Sequence, residues 1–179
     1  MNGPIKVFDR NPKDCEAKEI GDFMALVLAG GEVTAAGLED RIRSAARLFF
    51  LDVGCCLCGI AALKCPEEGY RKGISNKSGV PLSEAEYPFE LGWVFVMPSA
   101  RGRKFSQDLT RTAIAVAGDK GVFATSRTDN IGMHSSLAKC GFLPTGAPYP
   151  STRGEYKLQV FVRHGSRQET SGDAPLTAS

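Results

Sequence analysis

Segments with helical spacing alternate with short apolar runs along this chain. Near the N-terminus, apolar residues recur at helical spacing, at Ile20, Phe23, Met24, Val27 and Leu28. This spacing predicts a helix over residues 14–28 that ends at Gly30–Gly31. A second helix is predicted to begin at an N-cap at Thr34 and to carry an apolar stripe from Leu38 to Phe49.

Continuous apolar runs predict the strands. The runs RLFFLDV and CCLCGIAALK, separated by Gly54, predict a hairpin. Further strands are predicted over residues 5–9, 89–97, 121–127 and 155–164, with helices over 103–117 and 130–140. Residues 65–88 are rich in proline, glycine and charge, and they predict a long connection of the kind that often carries function.

The order of these elements predicts one layered α/β domain. Helices and strands do not alternate regularly, so a uniform parallel sheet is not expected. The domain is predicted to span residues 1–164. Residues 165–179 are polar and without aromatic residues, and they predict a disordered tail.

Composition narrows the class of protein. A chain of 179 residues with 42% hydrophobic and 23% charged residues is typical of one globular domain. The net charge of +2 does not support nucleic-acid or membrane binding through a chain-wide field. Residues 1–14 do not form the pattern of a secretory signal, and no apolar run is long enough to span a membrane. A cytoplasmic location is therefore expected.

Six cysteines raise the question of metal or redox chemistry. Cys55 and Cys58 have the C-x-x-C spacing of some zinc sites. A second closely spaced pair is missing, since Cys15, Cys65 and Cys140 do not supply one. The surrounding run also predicts a buried strand, in which a free cysteine packs as a small hydrophobe. Packing is therefore favoured over metal or disulfide formation, and a zinc-thiolate protein is a distant alternative.

A cluster of cationic residues follows the strand that ends near Pro98. Arg101, Arg103 and Lys104 surround Gly102 at the start of a predicted helix. Positive side chains at the positive end of a helix dipole are unfavourable unless a negative ligand binds there. The dinucleotide fingerprint and the lysine-threonine ending of a Walker loop are both absent. The pattern predicts a phosphorylated ligand, and the alternative is a solvated basic helix start.

Two motifs carry a resemblance to a known family. In VMPSARGRKFS, Arg101 opens a loop of the pattern Arg/Gln-x-x-Gly-x-Gly/Ala, with Lys104 and Ser106 in the last two defined positions. Farther on, Asn130 is followed at the family's spacing by Gly141–Phe142. The chain resembles the GNAT superfamily of N-acetyltransferases over about residues 5–163.

The resemblance implies a fold and a cofactor. The fold is a single-domain mixed central β-sheet with helices on both faces. The co-substrate is acetyl-coenzyme A, with its pyrophosphate on the backbone amides of residues 101–106 and its pantetheine arm on the Val96 backbone. The full set of implied cofactor contacts is Val94, Phe95, Val96, Arg101, Gly102, Arg103, Lys104, Phe105, Ser106, Asn130 and His134.

Lys104 departs from the family pattern, which has glycine at this position. A side chain restricts positive φ and close approach of the backbone. A right-handed backbone at Lys104 would make the lysine inexpensive, and its ammonium could itself meet a phosphate.

The resemblance also implies a catalytic base. Glu90 stands on the strand before the loop, where family members often have a glutamate that removes the amine proton directly or through water. Its apolar neighbours Phe89, Leu91 and Trp93 predict a raised carboxyl pKa. The alternative is a glutamate in solvent at the end of a strand. Leu137 stands where the family often has a tyrosine general acid, so no acid is assigned.

The acceptor stays open at this level. Glu84, Glu86 and Glu90 suggest a negative environment for an amine on a small molecule or a protein. No nucleic-acid or membrane partner is expected, and the oligomeric state is open, with a homodimer among the alternatives. The leading function is acetyl transfer to an amine by direct attack. The alternative is a non-catalytic acyl-coenzyme A sensor or interaction protein on the same fold.

Overall fold

Seven strands and five α-helices make up the fold of residues 3–166, which are the residues that this computed structural model describes. The strands are β1 Ile5–Arg10, β2 Arg47–Val53, β3 Cys56–Lys64, β4 Phe89–Val96, β5 Val122–Arg127, β6 Leu143–Pro150 and β7 Lys157–Arg163. The helices are α1 Ala17–Ala29, α2 Leu38–Arg43, α3 Glu68–Ser78, α4 Phe105–Ala117 and α5 Ile131–Ala138. Over this described part of the chain, no helix has the length and apolar character that a membrane span needs.

The strands form one sheet in the order β1-β2-β3-β4-β5-β7-β6. All neighbours are antiparallel except β4 and β5, whose parallel pairing runs only from Phe89–Val122 to Leu91–Ala124. Because β4 continues to Val96, the two strands separate beyond Leu91 and leave a gap in the middle of the sheet.

Helices cover both faces of the sheet, as predicted. Strand β2 shows how the sequence achieves this, since Leu48 and Phe50 pack against α1 and α2, whereas Phe49 and Leu51 belong to the core under α4. Alternate side chains of a strand point to opposite faces, so one fully apolar run supports both layers. A third cluster, which includes Ile74 of α3, lies on the same face as α1 and α2 and covers the end of the sheet formed by β5 and β7.

The second predicted helix is wrong at both ends. Helix α2 begins after Gly37, which has a left-handed φ of 62°, and it ends at Arg43. Thr34 is not its N-cap, and Phe49 lies fully buried in β2. The apolar residues around position 45 fit a helical stripe by coincidence, and strand pairing with β1 and β3 determines the conformation of Phe49.

The predicted long connection over residues 65–88 contains helix α3. An apolar stripe does not mark this helix, because buried Arg71 takes the place of an apolar anchor. Its guanidinium donates hydrogen bonds to the carbonyls of Pro66, Tyr87 and Pro88. A buried cation whose three guanidinium nitrogens all donate hydrogen bonds can hold a helix that hydrophobic periodicity does not reveal.

Strand β6 was missed for a different reason. It contains Pro144, Pro148 and Pro150, and prolines argue against a central strand. The strand lies at the edge of the sheet and pairs only with β7, so the lost donors do not interrupt a ladder on its other side. The predicted disordered tail lies outside the described residues from position 167 onwards.

Candidate functional site

The gap between β4 and β5 opens beside a bulge in β4. Ile60 pairs with Phe95 and Ala62 pairs with Gly92, so two residues of β4 stand opposite one of β3. One of the two is Trp93, whose φ of 51° is unusual for a bulky residue. Bulges bend a strand and redirect its side chains, and they are frequent beside active sites.

The backbone of Val96 faces the gap. The Met97 N–H donates to the Cys58 carbonyl of β3 at 2.9 Å. Since successive residues of a strand direct their N–H and C=O groups to opposite edges, the polar groups of Val96 point away from β3. The Val96 carbonyl accepts a hydrogen bond from Arg101 Nε at 3.1 Å. An extended ligand arm could therefore pair with the backbone here as an added strand does.

The loop after β4 delivers the chain into the start of α4. Residues Pro98–Ala100 form a 3₁₀ turn, and both Gly102 (φ 79°) and Lys104 (φ 65°) adopt the left-handed conformation. Lys104 is the N-cap of α4 and provides no side-chain acceptor for its amides. The first N–H groups of a helix lack intrahelical acceptors, so this end of α4 presents donors to an anion.

Three exposed cationic side chains surround these amides. The Arg101 guanidinium lies 5.8 Å from the ring centre of Phe95, and that of Arg103 lies 5.0 Å from Phe105. The acidic residue of the first turn, Asp108, is engaged by Arg111 at 3.2 Å. Positive charge therefore concentrates at the mouth of the gap, which suits a phosphorylated ligand.

Glu90 lies at the closed end of the gap, where β4 and β5 still pair. It is 2% exposed, so the alternative of a solvent-exposed strand end is wrong. Its Oε1 accepts a hydrogen bond from the Tyr70 hydroxyl at 3.1 Å, and Lys64 Nζ lies 2.7 Å from its Oε2. Lys64 therefore forms an ion pair with Oε2, and because a carboxylate oxygen has more than one lone pair, Oε2 can still accept a proton or a further hydrogen bond.

Tyr70 is the site residue that the sequence did not reveal. It lies on α3, and although 46% of the residue is exposed, its hydroxyl contacts the Glu90 carboxylate. Burial of the hydroxyl, followed by the charge and hydrogen bond of Glu90, raises the pKa of Tyr70 well above its usual value. The hydroxyl therefore stays protonated and holds the carboxylate in one orientation. Recognising it required α3, which sequence patterning did not show.

Several solved structures have a fold similar to that of this chain, and two of the three described next are acetyltransferases by name. ElaA of Escherichia coli matches with a TM-score of 0.66 at 15% identity, over 89% of this chain and 99% of its own. An acetyltransferase of the GNAT family from Streptococcus agalactiae matches with a TM-score of 0.66 at 15% identity, over 90% and 96%. The structure of yncA from Salmonella typhimurium, which contains its cofactor acetyl-CoA, matches with a TM-score of 0.62 at 14% identity, over 97% and 98%.

This chain has the GNAT fold. At the level of sequence, neither a protein-family model nor a curated protein matches it. The likeness therefore concerns the architecture, namely the mixed seven-stranded sheet with helices on both faces. The fold that the sequence motifs predicted is confirmed.

Within this GNAT fold, Lys104 occupies a strained backbone position. The structure gives it a left-handed φ of 65°, so a right-handed, inexpensive lysine is excluded. The left-handed conformation costs a residue with a Cβ roughly 1–2 kcal/mol. Glycine avoids this strain but loses more backbone entropy on folding, so the net gain from glycine at this position is smaller.

Lys104→Gly is therefore expected to stabilise the fold by about 0.5–1 kcal/mol, because glycine adopts this φ without strain. In a domain of this size the change corresponds to a rise in Tm of about 2 °C, measured by calorimetry without ligand. Lys104→Ala is the matched control, since it removes the same charge but keeps the Cβ. Equal stabilisation by alanine would assign the effect to charge repulsion with Arg101 and Arg103.

The residues of α5 are held by contacts within the protein. Asn130 Oδ1 accepts the Met133 N–H at 3.1 Å and caps the helix, while His134 Nε2 lies 2.8 Å from the Arg127 carbonyl. Leu137 is fully buried in the core, so it does not substitute for an acid. Ser136 Oγ lies 2.9 Å from Ser106 Oγ, which ties α5 to the start of α4.

The cysteines are distributed differently from the prediction. Cys58 is buried, as packing requires, whereas Cys55 in the turn between β2 and β3 and Cys56 at the start of β3 are exposed. Cys140 is half-buried, and burial raises the pKa of its thiol. Among residues 3–166, no three side chains of the His, Cys, Asp or Glu types come together in a way that could hold a metal ion.

Of the three glutamates that suggested an acidic environment, only Glu90 is buried. Glu84 and Glu86 are exposed, and Glu86 lies 3.5 Å from His164. Glu90 alone of the three lies inside the sheet at the gap. The local negative charge near the gap therefore comes from a side chain that is already ion-paired.

A bridge of polar contacts crosses the open ends of the central strands. Glu32, in the segment after α1, accepts hydrogen bonds from Arg127 at the end of β5 and from Tyr156 before β7. The Arg127 guanidinium lies 4.3 Å from the Tyr156 ring centre. These contacts join the segment after α1 to the β6–β7 connection, beside a surface cleft of about 440 Å³.

Proposed function

We propose that this protein transfers an acetyl group from acetyl-coenzyme A to an amine by direct attack. The observation that carries the proposal is a gap in the sheet that has the cationic, amide-rich start of α4 at its mouth and the buried carboxylate of Glu90 at its closed end. An anion site and a base at opposite ends of one gap suit a long phosphorylated thioester and an attacking amine. The likeness to GNAT acetyltransferases, one of which contains acetyl-CoA, supports the same assignment.

The proposed cofactor contacts follow the gap. Because the Arg101 N–H already donates to the Pro98 carbonyl, the pyrophosphate would lie on the amides of residues 102–106, a narrower range than the 101–106 first expected. Arg101, Arg103 and Lys104 would balance its charge. The pantetheine arm would pair with the backbone at Val96 beside Val94 and Phe95. Arg101 already donates to the Val96 carbonyl, so the Val96 N–H is the donor offered to the ligand. Asn130 and His134 would contribute indirectly, by holding α5 in place beside the cofactor.

The proposed chemistry needs a neutral amine. A primary amine has a pKa near 10 and is mostly charged at neutral pH, so a base must take its proton. Glu90 is the proposed base, acting directly or through a water, with Tyr70 fixing the orientation of its carboxylate. Coenzyme A can leave as a thiolate, because thiols are far more acidic than alcohols, and the absence of a tyrosine at Leu137 is then tolerable.

A sensor on the same fold is the competing proposal. Its specific support is the pairing of Lys64 with Glu90 at 2.7 Å, which places a cation of the protein itself on the proposed base. A sensor would bind acyl-coenzyme A through the same loop and would not turn it over. The strained Lys104 fits either function.

The deciding experiment presents the full chain with acetyl-coenzyme A and a panel of primary amines. We expect release of the coenzyme A thiol to depend on the amine. Mass spectrometry should show one acetyl group added to the acceptor. The panel should include small cationic amines and peptides with free N-termini, since both acceptor classes are open. Tight binding of acetyl-coenzyme A with no turnover across the panel would favour the sensor.

A further inference from the structure

Lys64 reaches the gap from the neighbouring strand. It is the last residue of β3, and its register partner on β4 is Glu90. Its side chain crosses β4 over Gly92, where an added Cβ would stand 2.5 Å from Lys64 Cε. Gly92 is also the first residue of β4 beyond the pairing with β5. Because Gly92 has no side chain, the lysine can extend over it to the point where the strands separate.

The surroundings of the Lys64 ammonium suit a cationic amine. Besides Glu90 Oε2 at 2.7 Å, its Nζ lies 5.2 Å from the ring centre of Trp93 and 5.6 Å from that of Tyr70. A carboxylate and two aromatic faces are a favourable combination for an ammonium group. The side chain is 21% exposed, so the amine is neither sealed in the core nor free in solvent.

We infer that Lys64 is an internal acetyl acceptor, so that the protein acetylates its own Nζ when acetyl-coenzyme A is bound. The inference rests on the proposed function, because it uses the same gap and the same base. What distinguishes Lys64 from other lysines is that its nitrogen already contacts the carboxylate assigned to remove an acceptor's proton. No movement of a helix is needed to bring the two groups together.

The step balances without a further reactant. The Lys64 ammonium gives one proton to Glu90 Oε2, and the neutral Nζ attacks the thioester carbonyl carbon. A C–N bond forms as the C–S bond breaks, and coenzyme A leaves as its thiolate. The second proton of the nitrogen passes to solvent, where it can protonate the thiolate, and Glu90 returns its own proton to solvent. The amide product is neutral, so the ion pair with Glu90 is lost.

The test is acetylation of the full chain by acetyl-coenzyme A without an added amine. Peptide mass mapping is expected to place one acetyl group on Lys64, at a first-order rate independent of protein concentration. Lys18 and Lys72 are matched internal controls, since each lies 2.6 Å from a carboxylate on an exposed helix surface away from the gap. We expect Lys64 to be labelled at least about 100-fold faster than either, which is the size of a general-base effect.

Two variants locate the reaction. Lys64→Arg keeps the ion pair and should remove the label. Gly92→Ala should displace the flexible lysine end and slow the labelling of Lys64 while leaving that of Lys18 unchanged.

A thermal shift with coenzyme A, run in parallel, separates the possible failures. Binding with Lys64 labelled no faster than Lys18 and Lys72 would overturn the inference and leave the proposed function standing. Absence of coenzyme A binding would overturn both.

Discussion

Replacing Glu90 with Gln is expected to lower amine-dependent turnover at neutral pH by at least about 100-fold, the range of a lost general base. Gln keeps the size of the side chain and can still accept the hydrogen bond from Tyr70, so the change removes basicity with little change of shape. Activity should recover partly as the pH rises towards 10, because the free amine then accumulates without help from the protein. The measurement is a pH–rate profile of both proteins with the same amine.

The controls address folding and charge. Coenzyme A binding should be unchanged in Glu90→Gln, because Glu90 lies at the end of β4 remote from the cationic loop. Glu39→Gln removes a carboxylate that also pairs with a cation, Arg43 at 2.8 Å, but on an exposed helix outside the gap. Turnover of the Glu39 variant should equal that of the unmodified chain. Full activity of the Glu90 variant at neutral pH would mean that water or the acceptor itself manages the proton.

Local sequence signals predicted one end of the candidate site. Pro98 ends β4, Gly102 adopts a left-handed φ, and a helix with a polar start follows, so the loop and its cationic side chains were predictable from adjacent residues. Glu90 became a candidate through the resemblance, since family members often have a glutamate on the strand that leads to the loop. The backbone of Lys104 stayed open at this level, because the family pattern has glycine at this position whereas a lysine favours a right-handed conformation, and the structure has a positive φ there.

The partners of Glu90 depend on features that no short stretch of the sequence contains. Lys64 meets Glu90 through the β3–β4 register, which the bulge at Trp93 helps to set. Tyr70 meets it through α3, a helix anchored by buried Arg71 without an apolar stripe. Pairing register and polar anchoring are long-range properties, so the sequence indicated Glu90 as a candidate base but not the groups that contact it.

Gly102→Val is expected to abolish stabilisation by coenzyme A while the unliganded protein stays folded. An added Cβ at Gly102 would meet nothing within 4 Å, so the effect comes from the backbone φ of 79°, which a β-branched residue strongly disfavours. The strain of roughly 1–2 kcal/mol is small beside the 5–15 kcal/mol that typically stabilises a domain. A loop that relaxes to negative φ would redirect the amides that are proposed to meet the pyrophosphate.

The measurement is the rise in Tm on adding coenzyme A. For the unmodified chain at a ligand concentration of about 100 Kd, binding contributes about 2.7 kcal/mol, or roughly 5–10 °C in a domain of this size. The valine variant should show less than about 1 °C, and Gly102→Ala should fall between the two, because alanine is strained at this φ but is not β-branched. Lys104→Gly relaxes the neighbouring left-handed position and should keep most of the shift. A wild-type shift in the valine variant would place the pyrophosphate elsewhere, and the role of the cationic loop would then have to be reassigned.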